Sequence, residues 1–191
     1  LSGSYNSAEV AKKIYLEEHP NTNIHVINSL SAGGEVDLIV RKLNQLVAEG
    51  LDFDQVVEVI TKYQEKTKLL FVLAKVDNLV KNGRLSKLVG TVVGLLNIRM
   101  VGKASKTGTL ELLQKARGQK KAIKATFDEL IKSGYAGGHI TIAHRNNEKF
   151  IEQFSALVRE KFAHAMIEVL PTSGLCSFYA EEGGLLMGYE I

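Results

Sequence analysis

The sequence predicts an α/β protein, and three observations carry that prediction. Segments with helical spacing alternate with short apolar runs through most of the 191 residues. Residues 69–73 are continuously apolar, as in strands that are buried on both faces of a parallel sheet. Beyond Val80, strand-like pieces come in pairs around polar turns. We therefore expect two lobes: residues 1–80 as the remainder of an open, Rossmann-like parallel sheet, and residues 81–191 as an α+β lobe with a mixed or antiparallel sheet.

The first lobe is expected to follow the order helix, strand, helix, helix, strand. Residues 4–17 have helical spacing, and the apolar run 24–28 predicts a short strand. Gly33 opens a second amphipathic helix. Asp52 and Gln55 have the spacing of a capping box, so a third helix begins there.

The second lobe is expected to combine helices with hairpins. In chain order, the predicted elements are a helix at 87–96, strands at 98–102 and 109–115, a helix at 119–132, a strand at 139–143, a helix at 147–161, a strand at 165–170, and strands within 174–191 on either side of a loop at 181–184. Gly90 and Gly94 lie inside the first of these helices, where each costs about 1 kcal/mol relative to alanine. Close packing, or a ligand against this helix, would explain them.

Positive charge is concentrated in one part of the chain. Residues 81–124 contain 11 Lys and Arg against a single acid, Glu111, so this block has a net charge of +10, whereas the whole chain has +3. Such a block indicates an anionic partner, or it is a solvated face with no partner. A nucleic acid is disfavoured as the partner, because the block has no aromatic side chain on which bases could stack.

Composition also limits the location that we expect. No apolar run reaches the roughly 18 residues that span a bilayer, so stable membrane insertion is not predicted. A lone cysteine, Cys176, is typical of the reducing cytoplasm. The chain begins at Leu1 without a methionine, which we interpret as the loss of an N-terminal part of a longer chain.

Two glycine-containing segments are candidate ligand sites. Ser2, Gly3 and Ser4 precede the first helix, where free N–H groups and the helix dipole favour an anion, or where a serine simply caps the helix. Gly33 and Gly34 lie between a strand and a helix, the place at which open α/β sheets bind ligands. They do not complete a dinucleotide motif, and an ordinary helix start explains them as well.

No metal centre is predicted. His139 and His144 flank one expected strand with a five-residue spacing, so their side chains point to opposite faces and cannot share a metal ion. The other histidines are scattered, and the lone cysteine adds no second thiolate ligand. Serines and histidines show no spacing that would define a catalytic triad.

Several cations and one tyrosine are candidates for binding a ligand or a partner. Arg84 and Arg117 each adjoin a glycine, and their planar guanidinium groups suit carboxylates or phosphates. Arg117 and Lys120 also lie at a predicted helix start, where positive charge opposes the helix dipole. That placement indicates a partner, or again a solvated face. Tyr179 is either a ligand contact or an ordinary strand residue.

Five short segments occur in a characteristic order: LSGSYNSA at 1–8, VINSLSAGG at 26–34, NGRLS at 82–86, LLNIR at 95–99 and KARGQKKA at 115–122. In this order and spacing they resemble the DegV family of bacterial fatty-acid-binding proteins. The resemblance extends over essentially the whole chain. It implies that the chain corresponds to the C-terminal two-thirds of a family member.

The resemblance implies a carrier without catalytic groups or a cofactor. In this family, two lobes enclose one long-chain fatty acid such as palmitate, with the acyl tail in an apolar tunnel and the carboxylate on a serine that corresponds to Ser2. Some members present the acid to an ATP-dependent fatty-acid kinase for phospholipid synthesis. The lipid-binding residues predicted on this basis are Ser2, Gly3, Ser4, Ser29, Gly33, Gly34, Leu96, Ile98 and Tyr179. The predicted kinase-binding residues are Arg84, Arg117 and Lys120.

The sequence departs from the family pattern near its C-terminus. The family usually has a histidine beside the carboxylate, followed shortly by Gly-Pro-Gly, whereas Tyr179 stands at about that position here. A tyrosine hydroxyl donates a hydrogen bond but supplies no positive charge near neutral pH, so we expect altered recognition of the head group. The alternative function is that of an enzyme or regulator that binds a phosphorylated ligand through Gly33, Gly34 and the basic residues 81–124.

Overall fold

The computed structural model describes residues 2–85 and 97–191. Within these ranges the helices are α1 (Ser4–Glu18), α2 (Gly34–Ala48), α3 (Phe53–Gln64), α4 (Asp77–Lys81), α5 (Gln119–Lys132), α6 (Glu148–Lys161) and α7 (Gly174–Ala180). The strands are β1 (Thr67–Leu73), β2 (Ile98–Ala104), β3 (Leu110–Arg117), β4 (Ile140–His144), β5 (Ile167–Pro171) and β6 (Leu185–Glu190). The predicted helix at 87–96 lies outside the described residues, and so does the predicted lipid contact Leu96.

All six strands form one open sheet in the order β3-β2-β1-β6-β4-β5. Only β4 and β5 pair in parallel, and the other neighbouring strands are antiparallel. The predicted α/β class is therefore confirmed, and the sheet is mixed. β1, the first strand in the chain, lies near the centre, where Phe71 is paired with Gly102 on one side and with Leu186 on the other.

The structure corrects the predicted direction of the central strand. The continuous apolar run at 69–73 indicates a parallel strand, but β1 is antiparallel to both of its neighbours. The run is apolar because helices cover both faces of the sheet. Leu70 and Val72 pack in one core with α5 and α6, whereas Phe71 and Leu73 belong to a second cluster on the opposite face, beside α4 and α7.

Two other predicted strands are wrong. Residues 24–28 pair with no strand among the described residues and form part of an irregular segment before α2. Residues 174–180 form α7 in place of a strand. Their apolar side chains follow helical spacing, since Cys176 and Ala180 recur on one face, and Glu181 ends the helix with a left-handed φ of 54°.

Short-range sequence patterns predicted the start of α3 and the limits of α5 correctly. The predicted capping box is confirmed, since the Asp52 carboxylate accepts a hydrogen bond from the Gln55 N–H at 2.9 Å and the Gln55 side chain accepts one from the Asp52 N–H at 3.0 Å. The helix predicted at 119–132 is α5. Gly118 precedes it with a φ of 83°, a conformation that favours glycine.

The sheet extends across the predicted lobe boundary. β1 ends before Val80, yet its neighbours β2 and β6 both come after that residue. The division of the chain into lobes at residues 1–80 and 81–191 stays a prediction, and β1 belongs to the sheet that the second of these segments completes.

A close approach between two glycines fixes α2 on the sheet. A Cβ atom on Gly34 would collide with the carbonyl oxygen of Thr141 and lie 2.7 Å from the Gly188 nitrogen. Gly188 in turn has no room for a Cβ atom against Glu35. The helix backbone therefore touches β4 and β6 directly, and the preceding loop is held at the surface of the sheet.

No helix in residues 2–85 and 97–191 combines the length and the apolar composition needed to cross a membrane.

Candidate ligand-binding cavity

A cavity of about 480 Å³ lies on the face of the sheet that carries α2, α4 and α7. Its floor is apolar, because Leu69, Phe71 and Leu73 of β1 and Leu186 of β6 point into it. The walls are formed by the start of α1, the loop at 26–32, the β2–β3 turn and α7. This volume lies in the range of pockets that hold small organic ligands.

Hydroxyl groups from the start of α1 line one part of the wall. The Ser2 and Ser4 oxygens lie 2.7 Å apart, and the Ser4 N–H donates to the Ser2 oxygen at 3.2 Å. The residue at the cap position is Gly3, which has no side chain to cap the helix. The mutual hydrogen bond uses one of the two hydroxyl protons, so one proton is left to donate to a ligand.

A strained loop forms a second part of the wall. Leu30 has a φ of 49°, a region that side-chain-bearing residues rarely occupy, and lies between Ser29 and Ser31. The Ser31 N–H donates to the Ser29 hydroxyl oxygen at 3.3 Å. All three residues line the cavity. Across from them, the Leu30 side chain closely approaches Gly108 in the β2–β3 turn.

A buried carboxyl group lies directly behind this loop. Glu35 is 7% exposed and accepts hydrogen bonds from the hydroxyl groups of Ser31 and Thr67, the latter at 2.9 Å. Burial raises the pKa of the Glu35 carboxyl group, and the two hydroxyl donors act in the opposite direction. No charged side chain among the described residues contributes to that shift.

A cation and an aromatic ring meet at the wall of the cavity. The guanidinium of Arg84 lies 5.7 Å from the centre of the Tyr179 ring, and both side chains line the cavity. Arg84 also donates to the carbonyl oxygen of Asn82 at 2.6 Å. Stacking on the ring and this hydrogen bond restrict where the charge can lie.

The structure separates the predicted lipid-binding residues into two groups. Ser2, Ser4, Ser29 and Tyr179 line the cavity. The remaining described residues of that set, Gly3, Gly33, Gly34 and Ile98, are not in its lining. Gly33 and Gly34 pack against Leu186 and the sheet backbone, and Ile98 is paired with Arg117 in the sheet. A ligand role for this second group stays a prediction.

The three predicted kinase-binding cations also lie in different places. Arg84 contributes to the cavity, whereas Arg117 and Lys120 are exposed where β3 ends and α5 begins. The first turn of α5 contains no acidic residue and no side-chain cap, so nothing local offsets the positive charge of Lys120 and Lys121.

Sequence reasoning missed several cavity residues. The strand run at 69–73 predicted buried side chains without indicating that alternate ones face a ligand. No sequence pattern predicted that Leu30 lines the cavity, because its left-handed backbone conformation depends on the contacts around it. Thr107 lies in the polar turn between the predicted strands at 98–102 and 109–115, and Thr109 begins the second of these strands. Only the pairing of β2 with β3 brings both threonines to the cavity.

The described ranges contain no group of three His, Cys, Asp or Glu side chains that could hold a metal ion. His144 accepts a hydrogen bond from the Asn147 N–H at 3.2 Å, in the turn before α6. This contact gives it a structural role at the end of β4.

An apolar floor, hydroxyl donors in the wall and one positioned cation define a protein that binds an amphipathic anion. Comparisons with known proteins agree with this class. The model of the DegV family of uncharacterised proteins matches residues 1–189, so this chain belongs to the DegV family. A DegV domain-containing protein of Streptococcus gordonii is 75% identical over 191 residues, which cover all of this chain and 68% of that protein.

Solved structures show the same fold with ligands bound. The crystal structure of the Streptococcus pneumoniae fatty acid kinase (Fak) B3 protein loaded with linoleic acid superimposes with a TM-score of 0.98 at 76% identity, covering 100% of this chain and 68% of that one. A DegV family protein from Eubacterium eligens loaded with heptadecanoic acid has a TM-score of 0.95 at 38% identity, covering 99% and 68%.

Proposed function

We propose that this chain binds one long-chain fatty acid in the cavity and presents it to a fatty-acid kinase. The observation that carries the proposal is the cavity itself, which combines an apolar floor of Leu69, Phe71, Leu73 and Leu186 with hydroxyl groups and Arg84 in its wall. The likeness to structures loaded with linoleic and heptadecanoic acids supports the same ligand class.

Burial of the acyl tail supplies most of the affinity. Each methylene removed from water contributes about 0.8 kcal/mol, so a chain of about 16 carbons gains on the order of 12 kcal/mol. The cost of association is about 4–15 kcal/mol, so the tail must be largely buried for tight binding. A floor formed by side chains of a sheet is pre-formed, which limits the additional cost of ordering.

The carboxylate is held at the start of α1 in this proposal. The free hydroxyl proton of the Ser2–Ser4 pair donates to it, and the α1 dipole adds a partial positive charge. Arg84 supplies the full positive charge that Tyr179 lacks, since its guanidinium is stacked on that ring beside the cavity. In this proposal Arg84 binds the carboxylate of the fatty acid, whereas the sequence predicted that it binds the kinase.

The kinase is proposed to dock beside Arg117 and Lys120. These exposed cations lie outside the cavity lining, so a partner can contact them while the ligand stays bound. Because the kinase consumes ATP, this step requires the cytoplasm, the location that the sequence also predicts. In this scheme the chain is a carrier, and the phosphoryl transfer belongs to the kinase.

Extraction and mass spectrometry of the purified full chain test the ligand. We expect one long-chain fatty acid per chain. An Ala104→Trp variant fills the cavity and should lose the lipid, whereas Ala48→Trp, on the exposed end of α2, should retain it. Recovery of a nucleotide, or of equal lipid from both variants, would contradict the proposal and favour the phosphorylated-ligand alternative.

A kinase-coupled assay tests presentation separately. Arg117→Glu should reduce the rate of acyl-phosphate formation while the lipid content stays unchanged, because Arg117 is not in the cavity lining. Lys132→Glu is the matched control, since this exposed cation lies at the opposite end of α5. Loss of lipid from Arg117→Glu, or equal rates for both variants, would refute this docking surface.

A further inference from the structure

The wall formed by residues 28–32 is held in place by contacts that the proposed function does not use. Leu30 is in the left-handed region, with a φ of 49°, and its neighbours anchor it on both sides. The Ser29 hydroxyl accepts from the Ser31 N–H at 3.3 Å, and the Ser31 hydroxyl donates to the buried Glu35 carboxylate. A strained residue persists only where its surroundings determine its conformation.

The second oxygen of the same carboxylate is tied to the sheet. Thr67, the first residue of β1, donates to Glu35 at 2.9 Å. Glu35 itself cannot move away, because its backbone lies against Gly188 of β6. One carboxyl group thus joins the cavity wall, through Ser31, to the sheet, through Thr67.

The strained conformation places Leu30 against the β2–β3 turn. A Cβ atom built on Gly108 would lie 3.2 Å from the Leu30 Cδ2 atom and 3.3 Å from its carbonyl oxygen. Leu30 and Gly108 both line the cavity, so their contact closes the wall between the loop and the turn. Relaxation of Leu30 to an ordinary backbone conformation would separate them.

We propose that Glu35 is a positioning residue, which holds the wall closed over the bound ligand by accepting a hydrogen bond from the Ser31 hydroxyl and so retaining Leu30 against Gly108. Glu35 does not line the cavity and acts through the loop. The consequence is slow release of the ligand. The inference rests on the proposed function only for the identity of that ligand, a fatty acid.

Two substitutions each remove one of the two hydrogen bonds that the Glu35 carboxylate accepts. Ser31→Ala removes the link to the loop, and Thr67→Val removes the link to the sheet with a side chain of the same shape. Ser31→Ala should accelerate the release of a fluorescent fatty acid, cis-parinaric acid, from the full chain by about tenfold, the factor that corresponds to about 1.4 kcal/mol. Ser31→Thr, which keeps the hydroxyl, should restore slow release.

Thr67→Val is the control for a merely structural effect. It should lower the midpoint of urea unfolding while release stays as slow as in the parent chain, because the Glu35 backbone is still held against Gly188 and Ser31 still donates to its carboxylate. Equal release rates for Ser31→Ala and the parent chain would overturn the proposal. So would acceleration by Thr67→Val to the level of Ser31→Ala.

A second measurement needs no fatty acid. Cys176, the single cysteine of the chain, lines the same cavity from α7, so its alkylation by N-ethylmaleimide reports how open the wall is. Alkylation should be faster in Ser31→Ala than in Ser31→Thr or Thr67→Val. If the parent chain binds no fatty acid, the proposed function fails, and the alkylation rates alone still support or overturn the role of Glu35.

Discussion

On one face of the sheet, Leu70 and Val72 pack beneath α5 and α6 in a core that also contains Phe154 and Tyr189. On the other face, Phe71 and the side chains beside it line a cavity. The two faces are built from the same strands and from similarly apolar residues. They differ in the helices that cover them.

The covering helices explain why only one face leaves room for a ligand. α5 and α6 each have 14 residues and pack on one face of the sheet. On the opposite face, α2 is drawn onto β4 and β6 by Gly34 and Gly188, whereas α4 and α7 have five and seven residues. A cavity therefore remains between these helices and the apolar strand residues, and an apolar tail can fill it.

The largest expected effect comes from removing one phenylalanine from each face. Phe154→Ala and Phe71→Ala should each lower the free energy of unfolding by about 3–5 kcal/mol, since both side chains are buried. Only Phe71→Ala should also weaken fatty-acid binding, because Phe71 lines the cavity. Urea unfolding and ligand displacement measure the two effects, and equal weakening of binding by both variants would remove the distinction between the faces.

High pH should destabilise the core on the face of the sheet that α5 and α6 cover. Burial raises the pKa of Tyr189 to about 12, from an ordinary value of about 10. Between these values the unfolded chain loses the proton while the native one retains it, so stability is complete below pH 10 and falls as pH rises. Two pKa units correspond to about 2.7 kcal/mol by pH 12.

The pH effect is measured by urea unfolding of the parent chain and Tyr189→Phe from pH 8 to 12. The variant should show a shallower decline, although Tyr135, whose pKa burial also raises to about 12, keeps some of the slope. Identical slopes would show that Tyr189 ionises as easily in the native state as in the unfolded one.

The close contact of α2 with the sheet, on the face that contains the cavity, can be tested by adding one methyl group. Gly34→Ala should cost about 1–3 kcal/mol, because the new Cβ atom meets the backbone of β4 and β6. Gly3→Ala is the matched control, since a Cβ atom there meets nothing within 4 Å and the backbone has an ordinary φ of −83°. Similar unfolding midpoints for both variants would contradict the proposed close approach.

The smallest change in stability is expected at the cavity wall. Ser2→Ala should alter the free energy of unfolding by less than about 0.5 kcal/mol, as is usual for exposed positions. Combined with Ser4→Ala it should weaken fatty-acid binding by about tenfold, because both hydroxyls of the pair are then lost and hydrogen bonds to charged groups contribute about 1.5–3 kcal/mol. Ser7→Ala, on α1 but outside the cavity lining, should leave binding unchanged when titrated alongside.

Local sequence determined the helices better than the strands. The limits of α5 and the capping box of α3 depend on residues within one turn, and both were predicted. The direction of β1 and the absence of a strand at 24–28 depend on which distant segments pair, and no local pattern encodes that. The alternation and the four glycines of residues 174–191 indicate strands, although the spacing of Cys176 and Ala180 is helical.

The cavity was predictable where it depends on a motif and not where it depends on the fold. Ser2, Ser4 and Ser29 belong to segments that the resemblance identified, and all three line the cavity. Leu30 belongs to one of those segments and Glu35 directly follows it, but their roles follow from a strained backbone and from burial, which only the packed structure creates.

The pairing of β1 with β6 has a consequence for how the cavity arises during synthesis. These two strands are the first and the last of the six to leave the ribosome, yet they are neighbours at the centre of the sheet. Until β6 emerges, the nascent chain holds β3-β2-β1 and β4-β5 as separate pieces, and closing so long a loop is slow. Leu186 then pairs beside Phe71, so the cavity floor is completed only after β6 has been synthesised.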